Sequence, residues 1–239
     1  MSDEHVPPVY RRLSVLVPVY NERNTVGEIL RRMRHVDLPV DLEIVVVDDG
    51  SSDGTDKVLA TLEDSTIRVI THPTNRGKGA SIRSALEVAR GDLVLVQDAD
   101  LEYDPDDWPA LLAPILKGKA KVVYGSRFIG ERATMRLLPA LGNRFLSVVT
   151  DVLYNTNLSD IETCYKLFDR SVLEGLTIES DRFDFEPEIT AKVLRRGHRI
   201  YEVPISYAGR DHSEGMKYTR ADTARALRTL LRYRLRRDP

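Results

Sequence analysis

Short apolar runs alternate along this chain with segments whose apolar residues recur at three- and four-residue spacing. The first run, residues 13–20, is nearly continuous in its apolar character and lacks the period-two alternation of a half-solvated strand. It predicts a strand buried on both faces. A helical pattern follows over 25–35, with Val26, Ile29, Leu30 and Met33 on one face and Asn24 or Thr25 in the capping position. The cycle then repeats. Strand 42–47 leads to a helix through Val58, Leu59 and Leu62, strand 67–70 to a helix over 80–89, and strand 93–96 to a helix through Trp108, Leu111, Leu112 and Ile115, with a further strand at 121–124. This order predicts an α/β fold: a mostly parallel central sheet flanked by helices, binding ligands beyond the carboxyl ends of its strands.

The polar motifs fall at those ends. Residues 18–22 follow the first strand, 48–55 the second, 75–79 the third and 98–100 the fourth, so four distant loops are expected at one crevice. Asp98 and Asp100 are separated by one alanine, and the period of a strand turns both to the same side. Two carboxylates this close remain jointly ionised most easily beside a cation. A hard ion such as Mg²⁺ or Mn²⁺ suits the pair, because Mg²⁺ is commonly held by one or two carboxylates plus phosphate oxygens. The same residues would also suit a strand that simply ends in a turn.

In the second half, an apolar helical pattern covers 135–154, followed by a segment at 160–168, a helix over 186–195 and a strand over 200–207. The C-terminal stretch 220–237 holds seven arginines and an apolar stripe of Ala224, Leu227, Leu230, Leu231 and Leu235. No repeat or low-complexity linker divides the chain. Residues 1–239 therefore read as one domain, with a flexible leader over 1–12 and a basic amphipathic helix over 218–239. That helix suits packing on the sheet combined with attraction to an anionic membrane surface.

Composition narrows the partners. With 42% hydrophobic and 30% charged residues and a net charge of -2, the chain is an ordinary globular one with no general affinity for nucleic acid. Its single cysteine, Cys164, excludes an internal disulfide and suits a reducing cytoplasm. The leader has no apolar signal region, and no stretch is long enough to span a bilayer. The expected location is cytoplasmic, peripheral on the cytoplasmic face of a membrane. His72, His198 and His212 lack metal-ligand spacing. Gly77-Lys78-Gly79 is not a P-loop, since the upstream glycine and the following serine or threonine are missing.

Taken in series, Pro18-Val19-Tyr20-Asn21-Glu22, Asp48-Asp49-Gly50-Ser51-Ser52-Asp53-Gly54-Thr55, Asn75-Arg76-Gly77-Lys78-Gly79 and Asp98-Ala99-Asp100-Leu101-Glu102 resemble the signatures of family 2 glycosyltransferases with the GT-A fold. Within that family the chain is most similar to the dolichyl- or polyprenyl-phosphate sugar synthases, over about residues 13–217. The resemblance implies a Rossmann-like GT-A sheet and an inverting, metal-dependent transfer of glucose or mannose from a UDP- or GDP-sugar to a polyprenyl or dolichyl phosphate. Mg²⁺ or Mn²⁺ would bridge the donor phosphates.

The same resemblance assigns residues. Pro18, Tyr20 and Glu22 would shape the base and ribose pocket, and Asp48 or Asp49 would accept a hydrogen bond there unless both serve the turn, as Asp53 is expected to. Gly77 and Gly79 would allow close backbone approach, with Lys78 near the diphosphate or base edge. Asp98 would lie near the sugar or ribose and the metal, and Asp100 would coordinate the metal. Arg127, in Gly125-Ser126-Arg127, would hold the acceptor phosphate, with Arg136 as a second contact. Ala140 and Leu141 stand where the family often has serine and arginine, and Thr163-Cys164-Tyr165-Lys166 where it has Thr-Gly-Phe-Arg, so that only the charge of Lys166 is kept, as a further contact to the acceptor. Glu186 and Glu188 match acidic positions, Glu186 on the acceptor side, and Arg210 and Lys217 a basic pair that closes over the diphosphate.

Three alternatives remain. A soluble or saccharide hydroxyl acceptor would need a general base, for which Asp160, Glu162 and Glu186 are candidates. A sugar-phosphate nucleotidyltransferase would need a glycine-rich loop after the first strand, where this chain has Pro-Val-Tyr-Asn-Glu. A silent nucleotide-sugar-binding module would have no use for both Asp98 and Asp100.

Overall fold

A computed structural model describes residues 9–62, 64–130, 137–209 and 220–236. The strands are β1 (Arg12–Val19), β2 (Asp41–Asp48), β3 (Ile67–Thr71), β4 (Leu93–Val96), β5 (Val122–Ser126), β6 (Lys166–Asp169) and β7 (Tyr201–Pro204). They form one sheet in the order β3-β2-β1-β4-β6-β5-β7. β1 pairs in parallel with β2 and β4, β2 with β3, and β5 with β7. β6 alone runs against its neighbours, β4 and β5.

The central strands are apolar throughout because both faces are covered: every residue of β4 and the run Leu13 to Val17 of β1 are buried. β3 forms an edge and leaves Arg68, Val69 and Thr71 exposed. On the faces lie α1 (Val26–His35), α2 (Thr55–Ala60), α3 (Lys78–Val88) and α4 (Trp108–Leu116). α1 turns Val26, Ile29, Leu30 and Met33 inward, as its spacing predicts. Thr25 occupies its N-cap position without capping it, since its hydroxyl donates instead to the Glu22 carbonyl and carboxylate. Trp108 is fully buried, and its indole N–H donates to Gln97 Oε1, which also accepts the Tyr165 hydroxyl. The polar ends of two large core rings are thereby satisfied.

The strand expected over 200–207 forms a continuous ladder only over Tyr201–Pro204, with an isolated bridge at Tyr207. The antiparallel entry of β6 was not visible in the strand–helix alternation. It means that the chain between β5 and β6 starts and finishes at the carboxyl edge of the sheet. That connection carries α5 (Leu137–Tyr154) and the loop before Lys166, and it walls one side of the crevice. Beyond it come α6 (Arg170–Leu173), α7 (Phe185–Arg195) and α8 (Arg220–Leu235).

α5, α7 and α8 share a small second core of Leu146, Leu158, Ile161, Ala191, Ala226, Leu230 and Tyr233. The packing face of α8 differs from the expected stripe. Ala226, Leu230 and Tyr233 are buried, whereas Ala224, Leu231 and Leu235 face solvent. The Tyr233 hydroxyl donates to buried Glu188, which helps to fix which side of the helix turns inward.

Candidate active site

The loops after β1 and β2 are locked together first. Asn21, at a positive φ of 54°, donates its backbone N–H to Ser51 Oγ at 2.9 Å and accepts the Ser52 N–H on its side-chain oxygen at 2.8 Å. Asparagine tolerates this left-handed conformation better than most residues. Asp48 accepts the Ser51 N–H at 3.1 Å, and Asp53 accepts from Thr55 and Arg23, the turn role expected of it. Pro18 is half-buried at the end of β1, Tyr20 is exposed at the mouth and Glu22 is buried, its carboxylate taking the Thr25 hydroxyl at 2.7 Å.

Asp49 has a different task from the one expected. It accepts the backbone N–H groups of Arg76 at 2.9 Å and Gly77 at 2.6 Å, and its Oδ1 lies 2.6 Å from His72 Nδ1. A carboxylate has about four acceptor sites, and these contacts use Asp49's, including the second one to Arg76. It braces the 75–79 loop, leaving Asp48 as the acceptor available to a base or ribose. His72, which showed no role in the sequence, fixes Asp49 and meets Ser84 Oγ through its other nitrogen.

That loop opens α3, which begins at Lys78 rather than at the expected residue 80. Gly77 has φ 103°, and a Cβ there would overlap the Asp181 carbonyl, while one on Gly79 would overlap the Ser180 carbonyl. The close approach anticipated for a ligand is therefore made by the chain's own 180–182 segment. Ala80 N–H donates to Asp181 O at 3.1 Å, Arg83 pairs with Asp181, and Glu188, fully buried, accepts the N–H groups of Glu179 and Ser180.

Lys78 is likewise redirected. Its ammonium lies 2.9 Å from the Asp98 carboxylate and 2.7 Å from Glu186. Burial opposes that charge, but Asp98 and Glu186 outweigh it and hold the lysine pKa well above its ordinary value. Lys78 thus bridges the end of β4 to the start of α7 instead of standing free at a diphosphate.

Asp98 and Asp100 follow β4 and are both half-buried, and Asp100 accepts the Glu102 N–H at 3.2 Å. Leu101 has φ 63°, a conformation costly for a branched-chain residue, of order 1–3 kcal/mol. The strain sits directly beside Asp100, in the bend that follows β4. Among the described residues no three acidic, histidine or cysteine groups are clustered to hold a metal. The donor set that fits a divalent ion is the Asp98–Asp100 pair, which leaves most of the coordination shell to be completed by phosphate oxygens.

Across the crevice, Arg127 follows β5. Its guanidinium forks onto Asp160 at 2.7 and 2.8 Å, its backbone N–H donates to the same carboxylate, and it lies over the rings of Tyr103 and Tyr207 at 5.9 and 5.2 Å. Asp160 is fully buried and also accepts Asn143 Nδ2 at 2.6 Å. Burial works against both charges, yet each holds the other ionised: Asp160 lies below the usual carboxylate range and Arg127 well above its own. The arginine expected to hold an acceptor phosphate already has an internal counter-ion.

Lys166 corrects its expected role outright. It is fully buried in β6, with its ammonium on the carbonyls of Ile161 at 2.9 Å and Thr163 and over the Tyr124 ring at 4.8 Å, so it cannot touch an acceptor here. Burial pulls it down to about 8. Burial also pushes the nearby Glu162 carboxyl up to about 8, aided by the charge of Glu186. Glu162 Oε1 and Glu186 Oε2 are buried without a hydrogen-bond partner. Cys164 is buried, as its small apolar character suggests, with Sγ against the Val96 carbonyl.

Arg136, Arg210, Lys217 and His212 lie outside the described residues. Tyr103, Tyr207 and Glu202 were not singled out by sequence. Glu202 accepts the N–H groups of Ser159 and Asp160 and so positions the partner of Arg127. No motif marks these three, because each acts through a neighbour remote in sequence.

Residues 14–177 match the family model described as glycosyl transferase family 2. The chain is 29% identical over 214 residues to the undecaprenyl-phosphate 4-deoxy-4-formamido-L-arabinose transferase of Pseudomonas fluorescens, covering 87% of this chain and 60% of that protein. It is 32% identical over 222 residues to the dolichyl-phosphate beta-glucosyltransferase ALG5D of Trichomonas vaginalis, covering 84% of this chain and 66% of that one. The chain spans roughly three fifths of the length of such curated relatives. Among solved structures, glucosyl-3-phosphoglycerate synthase from Mycobacterium tuberculosis, in complex with Mn²⁺, UDP and phosphoglyceric acid, superposes with a TM-score of 0.73 at 22% identity, covering 95% of this chain and 80% of that one. Its complex with Mg²⁺ and UDP gives 0.72 at 24%. These likenesses show the GT-A fold expected from the sequence.

Proposed function

Because the chain belongs to glycosyl transferase family 2, we propose that it transfers a hexosyl group, with inversion, from a nucleoside-diphosphate sugar to a polyprenyl or dolichyl phosphate. The observation that carries the acceptor assignment is the state of the carboxylates opposite Asp98. Asp160 is committed to Arg127 and Glu186 to Lys78, so neither stands ready as a base. A sugar hydroxyl would need a ready base at neutral pH, whereas a phosphate monoester is already ionised and attacks through its own oxygen. The names of the curated relatives, which transfer sugars to undecaprenyl or dolichyl phosphate, support the same acceptor class.

On the donor side, Pro18, Tyr20, Glu22 and Asp48 receive the base and ribose, and Asp98, held by Lys78, orients the sugar or ribose. Asp100, with Asp98, would hold the divalent ion. When bound, Mg²⁺ or Mn²⁺ neutralises the charge that develops on the departing nucleoside diphosphate. The phosphate oxygen of the acceptor forms the new bond to the anomeric carbon as the bond to the donor diphosphate breaks on the opposite face. Arg127 faces the incoming phosphate while Asp160 keeps its guanidinium oriented. A lipid acceptor places the reaction at a membrane surface, and no described helix is long and apolar enough to cross one.

A hydroxyl acceptor keeps one observation in its favour. Glu162 has a partnerless buried oxygen and a raised pKa, the features of a general base.

The experiment is nucleoside-diphosphate release from a panel of UDP- and GDP-sugars, with Mg²⁺ or Mn²⁺, with and without a polyprenyl phosphate. Release should require lipid phosphate and metal, and Asp100→Asn should lower it by ~100-fold or more. Release indifferent to the lipid, rising with pH through about 8 and abolished in Glu162→Gln, would establish the hydroxyl reading instead.

A further inference from the structure

α5 is built the wrong way round for a helix that meets only water. Its buried positions include Asn143, Ser147 and Thr150, with Asn143 donating to Asp160 and Ser147 Oγ accepting the Ile161 N–H. Its outward positions, Leu137, Leu141, Phe145, Val148 and Val152, recur at four-, four-, three- and four-residue spacing and are between 52% and 78% exposed. At about 100° per residue they form one continuous stripe opposite the buried face. Arg144 is the one charged residue exposed on this helix.

The neighbouring α8 extends the same pattern. The two helices lie side by side, Gly142 facing Thr223 and the Tyr154 hydroxyl donating to the Leu230 carbonyl at 2.7 Å. Ala224, Leu231 and Leu235 are exposed on the side of α8 away from its buried Ala226, Thr229 and Tyr233. Every exposed charged residue described on the two helices is an arginine: Arg144, Arg225, Arg228, Arg232 and Arg234. Arg225 and Arg232 are paired with Asp222 and Glu179.

We propose that the outward surface of α5 and α8 docks in the plane of an anionic lipid bilayer, with the α5 stripe inserted among the acyl chains and the arginines on lipid phosphates. Charge selects this occupant. A second copy of the chain meeting the same face across a two-fold axis would set arginines against arginines, whereas an anionic headgroup layer complements them. Contiguous apolar exposure rimmed by cations is the pattern of a helix lying at an interface. The inward face of the same helix touches Asp160, the partner of Arg127, so docking would set the acceptor side of the crevice at the headgroup level. The inference rests on the lipid-acceptor reading for its purpose, and its test uses vesicles that contain no acceptor lipid.

The test is co-sedimentation with vesicles of phosphatidylcholine alone or mixed with phosphatidylglycerol. The protein should bind the anionic vesicles and not the neutral ones. Leu141→Gln combined with Phe145→Gln should weaken binding by roughly tenfold or more, as should Arg144→Gln combined with Arg228→Gln. Thermal melts of both double variants should match the parent, since the substituted side chains face outward. Absence of binding to anionic vesicles by the parent protein would overturn the proposal, and so would a dimer in light scattering that the Leu141/Phe145 variant dissociates while vesicle binding persists. Nucleoside-diphosphate release with a short-chain polyprenyl phosphate in detergent reports the transferase reading separately. If that release is retained while vesicle binding is absent, only the docking surface fails.

Discussion

α1, whose apolar face joins the core of the sheet, and α5, which packs on α7 and α8, are both amphipathic, and they are oriented oppositely. α1 buries Val26, Ile29, Leu30 and Met33 and exposes Glu28, which pairs with Arg31 and Arg32 at 2.8 Å. α5 buries Asn143, Ser147 and Thr150 around Leu146, and exposes leucine, valine and phenylalanine. The reason lies in what each helix covers. α1 packs on the apolar strands of the donor half, where hydrophobic burial is the dominant gain. α5 covers Asp160 and Arg127, buried charges that require hydrogen-bonding neighbours.

The two sides of the crevice differ in the same way. Around β1 to β4, side chains such as Asn21 and Asp49 hold loop backbone, and Asp98 and Asp100 remain half-open to solvent. Across from them, charges are enclosed and matched with one another. Under the proposed transfer, binding and releasing a charged donor suits the first arrangement. The second fixes a geometry before any ligand arrives.

Breaking the enclosed side should have the larger effect on stability. Asp160→Ala takes from the largely enclosed Arg127 guanidinium the carboxylate it forks onto, an expected loss of ~3–5 kcal/mol in denaturant unfolding. A loss below ~1 kcal/mol would mean that Arg127 is solvated where the structure encloses it. On the donor side, Gly79→Ala should cost about 1–3 kcal/mol, because the added methyl group meets the Ser180 carbonyl and must push the 180–182 segment away from α3. The same variant should raise KM for the donor, since α3 carries Lys78 to Asp98. An unchanged melting temperature would contradict the close approach.

The smallest effect separates the two sides by pH. Glu162 binds its proton more tightly in the folded chain than the ordinary carboxyl value of 4.5 allows, holding it to about 8. Between those values the folded state carries the extra proton, so this group makes stability fall as pH rises, with no further loss above about 8. Lys166, lowered from 10.5 to about 8, acts in the opposite sense and only above about 8. Glu162→Gln mimics the protonated acid and should flatten the decline in melting temperature between pH 5 and 8. Parallel melting curves for variant and parent would show that the carboxyl is ionised and solvated.

The donor half was largely legible because its logic is local. Each apolar run is a strand and each polar motif follows the strand that positions it, whereas Asp98 and Asp100 lie just past the end of β4, beyond the reach of its period of two. Asp53 is a turn residue as its position suggests. Legibility failed where a side chain's partner is distant: Asp49 turns to His72 and Gly77, Lys78 reaches Glu186, and Lys166 is enclosed by Ile161 and Thr163. Arg136, Arg210 and Lys217 lie outside the described residues, so their expected roles stand as proposals.

The sequence by itself determined the family, the strand–helix succession and the loops that face the crevice, because those follow from periodicity and from motifs contiguous in the chain. Tertiary structure alone decided the antiparallel entry of β6, the Arg127–Asp160 and Lys78–Asp98–Glu186 pairings, and the outward apolar face of α5. A residue's charge is written in its side chain. Whether that charge is free, paired or buried depends on which groups the fold brings within a few ångströms, and the chain order does not encode that distance.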